Sequence, residues 1–410
     1  MTDSSTSSRT TSAPTSAAPS AGPALRALLF GNFVIGAGVM VVPGTLNDIS
    51  ASLDVSIPQT GLLITVGGVL IGLGAPLAAG LVAGWDRRRL LALSLLWYGV
   101  FMAASACAPS YGWLLVLRAL AMMPPGIFTP QAAASVGLLV PPSQRGRAIT
   151  TIFLGWSLAS VLGMPLSAWI GGVMGWRWAF GLVALLALVG AAWVWRVLPD
   201  GMRPPAISRQ GWAQTLRSPA LMGVVAVTLF YSFSQMTLFA YFAPYHQQMM
   251  GMGAAALALL LLWFGVFGLA GNLLLSRHID RLGPARAVTM TLVGIALTLA
   301  LWPLSRAFGA PSFWLHALIA LPWALCGFAC NSAQQARLVQ LAPALASATI
   351  ALNSSAIYAG QALGAALGAS LIAQGLLAHL HLYGLGLVLI GLGVSLWAGR
   401  RASTVPGAAR

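Results

Sequence analysis

Long uncharged apolar runs, separated by short polar gaps, dominate the pattern of this chain. A membrane-spanning helix needs about 20 mostly apolar residues, and several of these runs are long enough to cross a membrane more than once. Such runs must fold back, and polar or helix-breaking clusters such as Gln374-Gly375 mark the turns. The pattern therefore predicts an all-α membrane protein with twelve transmembrane helices, at approximately 25–47, 60–84, 90–108, 112–139, 148–173, 178–198, 219–245, 254–276, 286–305, 312–336, 347–373 and 382–399.

The distribution of charge supports this number of helices. Only 7% of the 410 residues are charged, whereas a soluble domain carries about 25%. Cytoplasmic loops of membrane proteins collect positive residues. If the N-terminus is inside, every Arg except Arg118, Arg177 and Arg306 falls in a predicted cytoplasmic segment or tail. We therefore expect both termini to be cytoplasmic, and we attribute the net charge of +15 to this topology rather than to nucleic-acid binding.

The most polar internal stretch, residues 199–218, divides the chain into two parts. We interpret it as a cytoplasmic linker between an N-terminal six-helix bundle at 25–198 and a C-terminal six-helix bundle at 219–400. Residues 1–24 are mainly Ser, Thr, Ala and Pro, which cannot bury enough apolar surface to become ordered. They are predicted to form a disordered cytoplasmic tail, and residues 401–410 are predicted to form a C-terminal cytoplasmic tail.

Two loop sequences repeat one arrangement in the two parts of the chain. Residues 80–89 (GLVAGWDRRR) lie between the second and third predicted helices, and residues 271–286 (GNLLLSRHIDRLGPAR) lie at the eighth and ninth. Both place an Asp beside Arg in a short cytoplasmic turn. Parallel six-helix repeats with a binding site between them are a known transporter architecture. The repeat therefore predicts two pseudo-symmetric six-helix bundles.

With these motifs the chain resembles the major facilitator superfamily, in its drug:proton antiporter and sugar-efflux-like branch. The residues that match the loop motif of that family are Gly80, Arg87, Arg88 and Arg89, with Asp86 displaced towards the Arg run, and, in the second copy, Asp280, Arg281, Gly283 and Arg286. Arg118 matches the arginine of the family's fourth helix. A partial match to the Gly/Pro motif that marks exporters lies in the fifth helix, at Gly155, Gly163, Pro165, Gly171 and Gly172.

The resemblance implies a secondary active transporter that exports a small drug-like molecule or sugar by alternating access, with protons as the candidate coupling ion. It implies a monomer in the cytoplasmic (inner) membrane of a bacterium, without a cofactor. Uptake by the same fold is an alternative, because coupling sets the direction of transport. A membrane-embedded enzyme would need a nucleophile, a metal or a carboxylate cluster at membrane depth. The sequence contains no HExxH, GxSxG or paired acids, and its three Cys residues lie in apolar stretches without metal-ligand spacing.

The charged loop motifs and the helix glycines each have two interpretations. A cation near the carbonyl end of a helix is favourable by about 0.3–1 kcal/mol, so the loop charges could form a cytoplasmic latch that holds one conformation. Alternatively, they only set topology and bind anionic lipid. The glycines of the fifth helix, together with Gly360, Gly364 and Gly368 of the eleventh, predict close helix packing, either static or sliding.

Arg118 and Asp48 are the charges closest to the hydrocarbon region. Arg118 lies about two turns inside the fourth helix, where a charge usually faces a cavity or a partner, although it could also extend to the outer surface. Asp48, at the outer end of the first helix, is the only acid close to a span. Our hypothesis is that Asp48 and Arg118 form a proton-coupling pair. The alternative is that Asp48 caps a helix in a loop.

Polar and aromatic residues within the spans are candidates for a substrate cavity. They are Asn32, Gln131, Tyr231, Gln235, Phe239, Asn331, Gln334, Gln335, Asn353, Tyr358 and Gln361. Such side chains can instead form hydrogen bonds between helices, which contribute about 0.6 kcal/mol on average. An aromatic, amide-lined cavity that is poor in acids favours neutral, amphipathic or anionic substrates over polycations.

Overall fold

The computed structural model describes residues 21–82, 84–141, 145–203, 209–306, 313–342 and 345–402. Fifteen α-helices make up most of these ranges, and no strand occurs in them. The helices are α1 (Ala21–Leu53), α2 (Ile57–Leu81), α3 (Arg87–Ala106), α4 (Tyr111–Ala121), α5 (Met123–Leu139), α6 (Arg145–Met174), α7 (Trp176–Val197), α8 (Arg209–Arg217), α9 (Pro219–Phe239), α10 (Phe242–Met250), α11 (Ala254–Leu282), α12 (Pro284–Leu301), α13 (Phe313–Leu341), α14 (Ala346–Ala373) and α15 (Leu380–Ala402). Short 3-10 turns lie at Trp302–Arg306 and Leu377–His379.

Twelve stretches of the described chain are long and apolar enough to cross a membrane, which confirms the predicted number of spans. Helices α4 and α5 together form the fourth span, α9 forms the seventh, and α8 lies within the predicted linker. The first helix begins at Ala21, inside the predicted tail, and continues to Leu53, because backbone hydrogen bonding does not stop where hydropathy falls. Residues 1–20 and 403–410 of the predicted tails lie outside the described chain.

Prolines account for the interruptions within the first and fourth spans. Pro43 precedes Thr45, whose non-helical backbone (φ −111°, ψ 16°) kinks α1. Pro124 and Pro125 start α5 directly after α4, so the fourth span is broken where one helix was predicted. Proline has no N–H to bond the carbonyl four residues earlier. For Pro124 that carbonyl belongs to Leu120, and it accepts the indole N–H of Trp97 at 2.9 Å instead.

Equivalent helices pack together in the two halves. Helix α1 packs on α6 and α3 on α7, as α9 packs on α14 and α12 on α15. One apolar cluster lies within the N-terminal half, and the large cluster of the C-terminal half extends to Met40, Leu46, Met164 and Ala168 of α1 and α6. The halves meet along α2 with α14 and along α6 with α11. We call the end of the molecule that carries the α2–α3 and α11–α12 turns the basic face, and the other end the opposite face. This arrangement leaves the space between the halves for a site.

Candidate functional site

A cavity of about 260 Å³ lies between the two halves. Helices α1, α5 and α6 line it from the N-terminal half, and α9, α11, α13 and α14 line it from the C-terminal half. No Arg, Asp or His occurs among the lining residues that the structure describes. The wall is therefore apolar and aromatic, with amide and hydroxyl groups, which is the usual character of a small-molecule pocket.

Seven of the residues predicted for the cavity line it, namely Tyr231, Gln235, Phe239, Asn331, Gln335, Tyr358 and Gln361. The structure places the other four elsewhere in the protein interior, namely Asn32, Gln131, Gln334 and Asn353. Most of these have partners between helices. Asn32 donates to the carbonyl of Ile152 at 3.3 Å, and Gln334 donates to the carbonyl of Val224 at 3.0 Å. Their amide nitrogens bind neighbouring helices and not the cavity, although the buried Oε1 of Gln334 has no hydrogen-bond partner among the described residues.

Several lining residues were not predicted from the sequence. Trp156 lines the cavity from α6, donates to the hydroxyl of Thr129 at 3.3 Å, and has its ring centroid 6.5 Å from that of Tyr358 across the two halves. The only indication of Trp156 in the sequence is its position next to Gly155, a glycine predicted to pack against another helix. Asn272 of α11 also lines the cavity, and its buried Oδ1 has no hydrogen-bond partner among the described residues. That oxygen can accept a hydrogen bond from a bound molecule.

Arg118 is buried against α1, with 2% of its surface exposed. Its Nη1 donates to the carbonyl of Gly38 at 2.8 Å, and its Nη2 donates to the carbonyl of Val39 at 3.3 Å. The carbonyl of Val39 lacks its helical partner because Pro43 stands four residues later. A space of about 20 Å³ beside Arg118 shares Tyr358 and other wall residues with the main cavity. Arg118 therefore lies behind the wall of the cavity and holds the kinked helix.

Asp48 does not meet Arg118 in this structure. Its carboxylate lies beside Gly171 of α6, close enough that a side chain on that glycine would overlap it. Asp48 is also about ten residues, or roughly 15 Å of helix, beyond the carbonyls that bind Arg118. No ion pair joins the two residues among the described contacts of either one. They lie instead on the two sides of the kink at Thr45.

The first loop motif is held within the N-terminal half. Asp86 caps α3 by accepting the backbone N–H of Arg89 at 3.0 Å. Arg87 is buried and donates to the carbonyl of Val82 at 2.9 Å. Arg88 donates to the carbonyl of Trp195 at 2.7 Å and stacks on its ring at 4.8 Å. These contacts tie the α2–α3 turn to α7.

The second loop motif is more open. Arg281 and Arg286 are exposed, and Gly283 joins α11 to α12 with a φ of 77°, a conformation that favours glycine. Gly80 lies in α2 and Asp280 in α11, but the surroundings of these two residues are outside the described part of the chain. The two copies therefore differ in their contacts, although both occupy turns on the basic face.

The predicted glycines lie at equivalent helix contacts in the two halves. A side chain on Gly155 would overlap the backbone of α1 at Leu29, and one on Gly163 would lie 3.0 Å from Cα of Ala37. In the C-terminal half, a side chain on Gly360 would lie 2.5 Å from the carbonyl oxygen of Leu229 in α9. The remaining members of the set lie in the same two helices, namely Pro165, Gly171, Gly172, Gly364 and Gly368. Gly171 and Gly172 face α1 and α11, and Gly364 and Gly368 face α9 and the α9–α10 junction.

The two halves contact each other at the opposite face. Asn47 near the end of α1 donates to the side chain of Gln247 in α10 at 2.6 Å, which joins the two halves. The lining residues Trp156, Asn331 and Gln335 lie in the parts of α6 and α13 that are nearer the basic face. The cavity is therefore offset towards the basic face, with the Asn47–Gln247 contact beyond its far end.

Comparisons with known proteins agree with this architecture. A family model described as Major Facilitator Superfamily matches residues 28–369. The inner membrane transport protein YdhP of Escherichia coli (strain K12) is 29% identical, over 86% of this chain and 89% of its own. A probable sugar efflux transporter of Mannheimia succiniciproducens is 29% identical over 88% of each chain.

Solved structures share the fold. A bacterial homolog to the human lysosomal transporter Spinster, in an inward-facing and unoccupied conformation, has a TM-score of 0.75 at 16% identity, covering 96% of this chain and 100% of its own. The D-xylose-proton symporter has a TM-score of 0.74 at 16% identity, covering 95% and 99%.

Proposed function

The chain belongs to the major facilitator superfamily, and we propose that it exports a neutral small molecule, drug-like or sugar-like, by alternating access across a bacterial inner membrane. The membership confirms the resemblance seen in the sequence motifs. Transport as such follows from the family and from relatives that are named as transporters. The direction and the substrate class are the proposal, and the name of the sugar-efflux relative supports the second.

The observation that carries the proposal is the uncharged cavity between the halves. An ionic substrate would need an opposite charge in the wall, because an unpaired buried charge is costly. The described wall offers aromatic faces and amide groups instead. Aromatic faces bury apolar surface, and amides pair with hydroxyl or carbonyl groups of an uncharged molecule. One chain builds the whole cavity, so a monomer suffices for transport.

We place the basic face in the cytoplasm, with both termini there, because arginines gather in its turns. In this orientation, the described conformation is closed to the outside at Asn47 and Gln247. Export then requires the halves to part at this contact and to close at the basic face. The two loop motifs are the proposed latch in that second conformation, where their arginines would meet helix ends across the halves.

Asp48 and Arg118 are the proposed coupling residues, acting through α1. Arg118 holds the helix on one side of the Thr45 kink, and Asp48 meets α6 on the other side. A charged Asp48 carboxylate favours contact with water, whereas the protonated carboxyl group does not need it. Protonation of Asp48 would therefore let the outer part of α1 shift against α6. In this way a proton on Asp48 can bias the helix that Arg118 holds, without an ion pair between them.

Purified protein in liposomes tests the proposal. A panel of neutral sugars, neutral drug-like compounds and cationic dyes is loaded, and flux is measured with and without a pH gradient. We expect saturable flux of a neutral compound that depends on the pH gradient in the wild type. In the Asp48→Asn and Arg118→Ala variants this flux should no longer depend on the gradient. Transport of the cationic dyes alone would contradict the substrate class. Unchanged gradient-driven transport in both variants would remove the coupling role.

A further inference from the structure

A buried histidine pair lies at the opposite face of the C-terminal half, outside the cavity. The Nε2 atoms of His246 in α10 and His316 in α13 are 2.8 Å apart, and both side chains are fully buried. Nδ1 of His246 is 2.6 Å from the carbonyl oxygen of Phe242. The next residue after His246 is Gln247, which holds the contact to Asn47 across the halves.

These contacts define which nitrogen atoms carry hydrogen. A carbonyl oxygen only accepts, so Nδ1 of His246 carries a hydrogen and its Nε2 is an acceptor. Nε2 of His316 must then be the donor between the rings. Nδ1 of His316 is left as a bare acceptor, and it is buried without a hydrogen-bond partner among the described residues. Because the two rings are buried without a carboxylate beside them, the neutral pair is the favoured state. In this pair Nδ1 of His316 is free to take a proton.

We propose that His246 and His316 form a proton-binding site at the opposite face, which keeps that face closed while neutral and opens it when a proton binds at Nδ1 of His316. The proposal rests on the proposed function only for the orientation of this face towards the outside. Binding of a proton to Nδ1 converts His316 to imidazolium, and its Nε2–H continues to donate to His246.

The surroundings oppose a charge while the face is closed. The ring centroid of Trp302 lies 4.6 Å from that of His316 in an edge-on arrangement, and the indole nitrogen of Trp302 has no hydrogen-bond partner among the described residues. The ring centroid of Tyr245 lies 5.4 Å from that of His246. Asp48 on α1 lies against Gly171, and His379 is exposed. The other titratable group on a nearby element is the buried His381 of α15, and the Arg306 side chain lies outside the described part of the chain. Without a carboxylate beside it, a cation here is stabilised only when water enters.

His246 itself stays neutral in this conformation. It lies beyond the end of the seventh span, where burial, with His316 beside it, lowers its pKa to about 3. A group that binds a proton poorly in the closed state and better in the hydrated state shifts the balance towards the hydrated state as pH falls. The direction is therefore opening of the opposite face by acid.

The internal repeat places a titratable ring where the other half has a permanent cation. Arg118 precedes Pro124 by six residues, and His316 precedes Pro322 by six. The partners also correspond, because Thr45 and Tyr241 lie 196 residues apart and share one kinked backbone (φ −111°, ψ 16° and φ −112°, ψ 25°). Thus Arg118, a permanent cation, holds the first span near its kink. In the other half the titratable ring of His316 holds α10, which follows the kink at Tyr241. The C-terminal half has the contact that pH can change.

Two readouts on the full chain test the site. The first is nitrogen NMR of protein labelled with ¹⁵N-histidine in lipid nanodiscs, assigned with single His→Gln variants. The second is the spin-label distance between Ser110→Cys and Gln374→Cys, which are exposed on the opposite face of different halves, in a chain with its own three cysteines replaced by alanine. Neither readout needs the substrate, so both can succeed even if the proposed export fails.

We expect His316 to gain a proton at Nδ1 between about pH 7 and about pH 4, below the window of a free imidazole, because the closed state opposes the charge. The fraction of molecules with the longer spin-label distance, which reports the open state, should rise over the same range. The ratio of open to closed molecules should rise by at most roughly tenfold per pH unit, as one proton allows. His316→Phe should remove the pH response, while the matched variant His379→Gln keeps it. A distance that ignores pH in the wild type, or a pH response that persists in His316→Phe, overturns the proposal. If His316→Phe does not fold, the NMR of the wild type decides the question. An Nδ1 of His316 that stays without a proton while the spin-label distance lengthens would also overturn the proposal.

Discussion

The guanidinium of Arg118 donates to the carbonyl of Val39, which Pro43 has left without its helical N–H. A second bond, to Gly38, uses the other arm of the planar guanidinium. The bent first span and the buried charge in the fourth therefore explain each other. Pro43 leaves the Val39 carbonyl without its helical donor within the span, and the arginine supplies one.

A double-mutant cycle tests this relationship. Arg118→Met should lower the free energy of unfolding by about 1–3 kcal/mol, since a buried carbonyl loses its donor. In a Pro43→Ala background the loss should be smaller by about 1 kcal/mol, because alanine restores the N–H that Val39 lacks. Denaturant titration in detergent, followed by tryptophan fluorescence, measures both. Costs that add within about 0.5 kcal/mol would show that the two residues act independently.

Two neighbouring glutamines should respond to one substitution in different ways. Gln335 lines the cavity, so Gln335→Leu should raise the KM for transport roughly tenfold, which is about 1.4 kcal/mol of binding, with little change in stability. Gln334 is buried and donates to Val224, so Gln334→Leu should lower the free energy of unfolding by about 1–3 kcal/mol and leave KM near its original value. Transport kinetics and thermal melting of both variants separate these outcomes. Equal effects on KM would contradict the assignment of the wall.

Glycines at the α9–α14 contact should not tolerate a methyl group. Gly360→Ala places a carbon 2.5 Å from the carbonyl oxygen of Leu229, and we expect a loss of about 1–3 kcal/mol in the free energy of unfolding. The control is Gly393→Ala in α15, where no atom lies within 4 Å, and a gain of about 0.5–1 kcal/mol is expected. Melting temperatures of the two variants provide the comparison. A stable Gly360→Ala protein would mean that α14 and α9 are not packed this closely.

The number of spans could be predicted because lipid exposure requires long uncharged runs, and the arginines mark one side of the membrane. Each half also has a recognisable loop motif, so the division into two bundles followed from the repeat. Breaks within spans were harder to predict. The fourth span was predicted as one helix, but Pro124 and Pro125 divide it. The sequence does not show where a proline breaks a span, because other donors can bind the carbonyl that the proline leaves without an N–H. Here the indole of Trp97 binds that carbonyl.

The cavity wall was predicted only in part, because it depends on which face of each helix meets a neighbour. Gln334 and Gln335 differ by one position, or about 100° around the helix, and only the second faces the cavity. Trp156 and Asn272 were missed since composition does not distinguish a cavity wall from a lipid-facing or packed surface. The hydrogen bond from Arg118 to Val39 could not be predicted, because it depends on the kink in the first span. The residues around Arg118 in the fourth span give no sign of that kink.

We infer that the two halves part at the opposite face during each transport cycle. Asn47→Cys with Gln247→Cys, in a chain without other cysteines, allows a short thiol cross-linker to join the halves at their hydrogen bond. Ser52→Cys with Arg177→Cys is the matched control, because that contact, 3.2 Å between the native side chains, lies within the N-terminal half. Transport of the compound identified in liposomes is then measured before and after cross-linking. We expect that only the first pair stops transport when it is cross-linked, with recovery on cleavage of the linker. Full transport by a completely cross-linked first pair would show that the halves do not part at this contact.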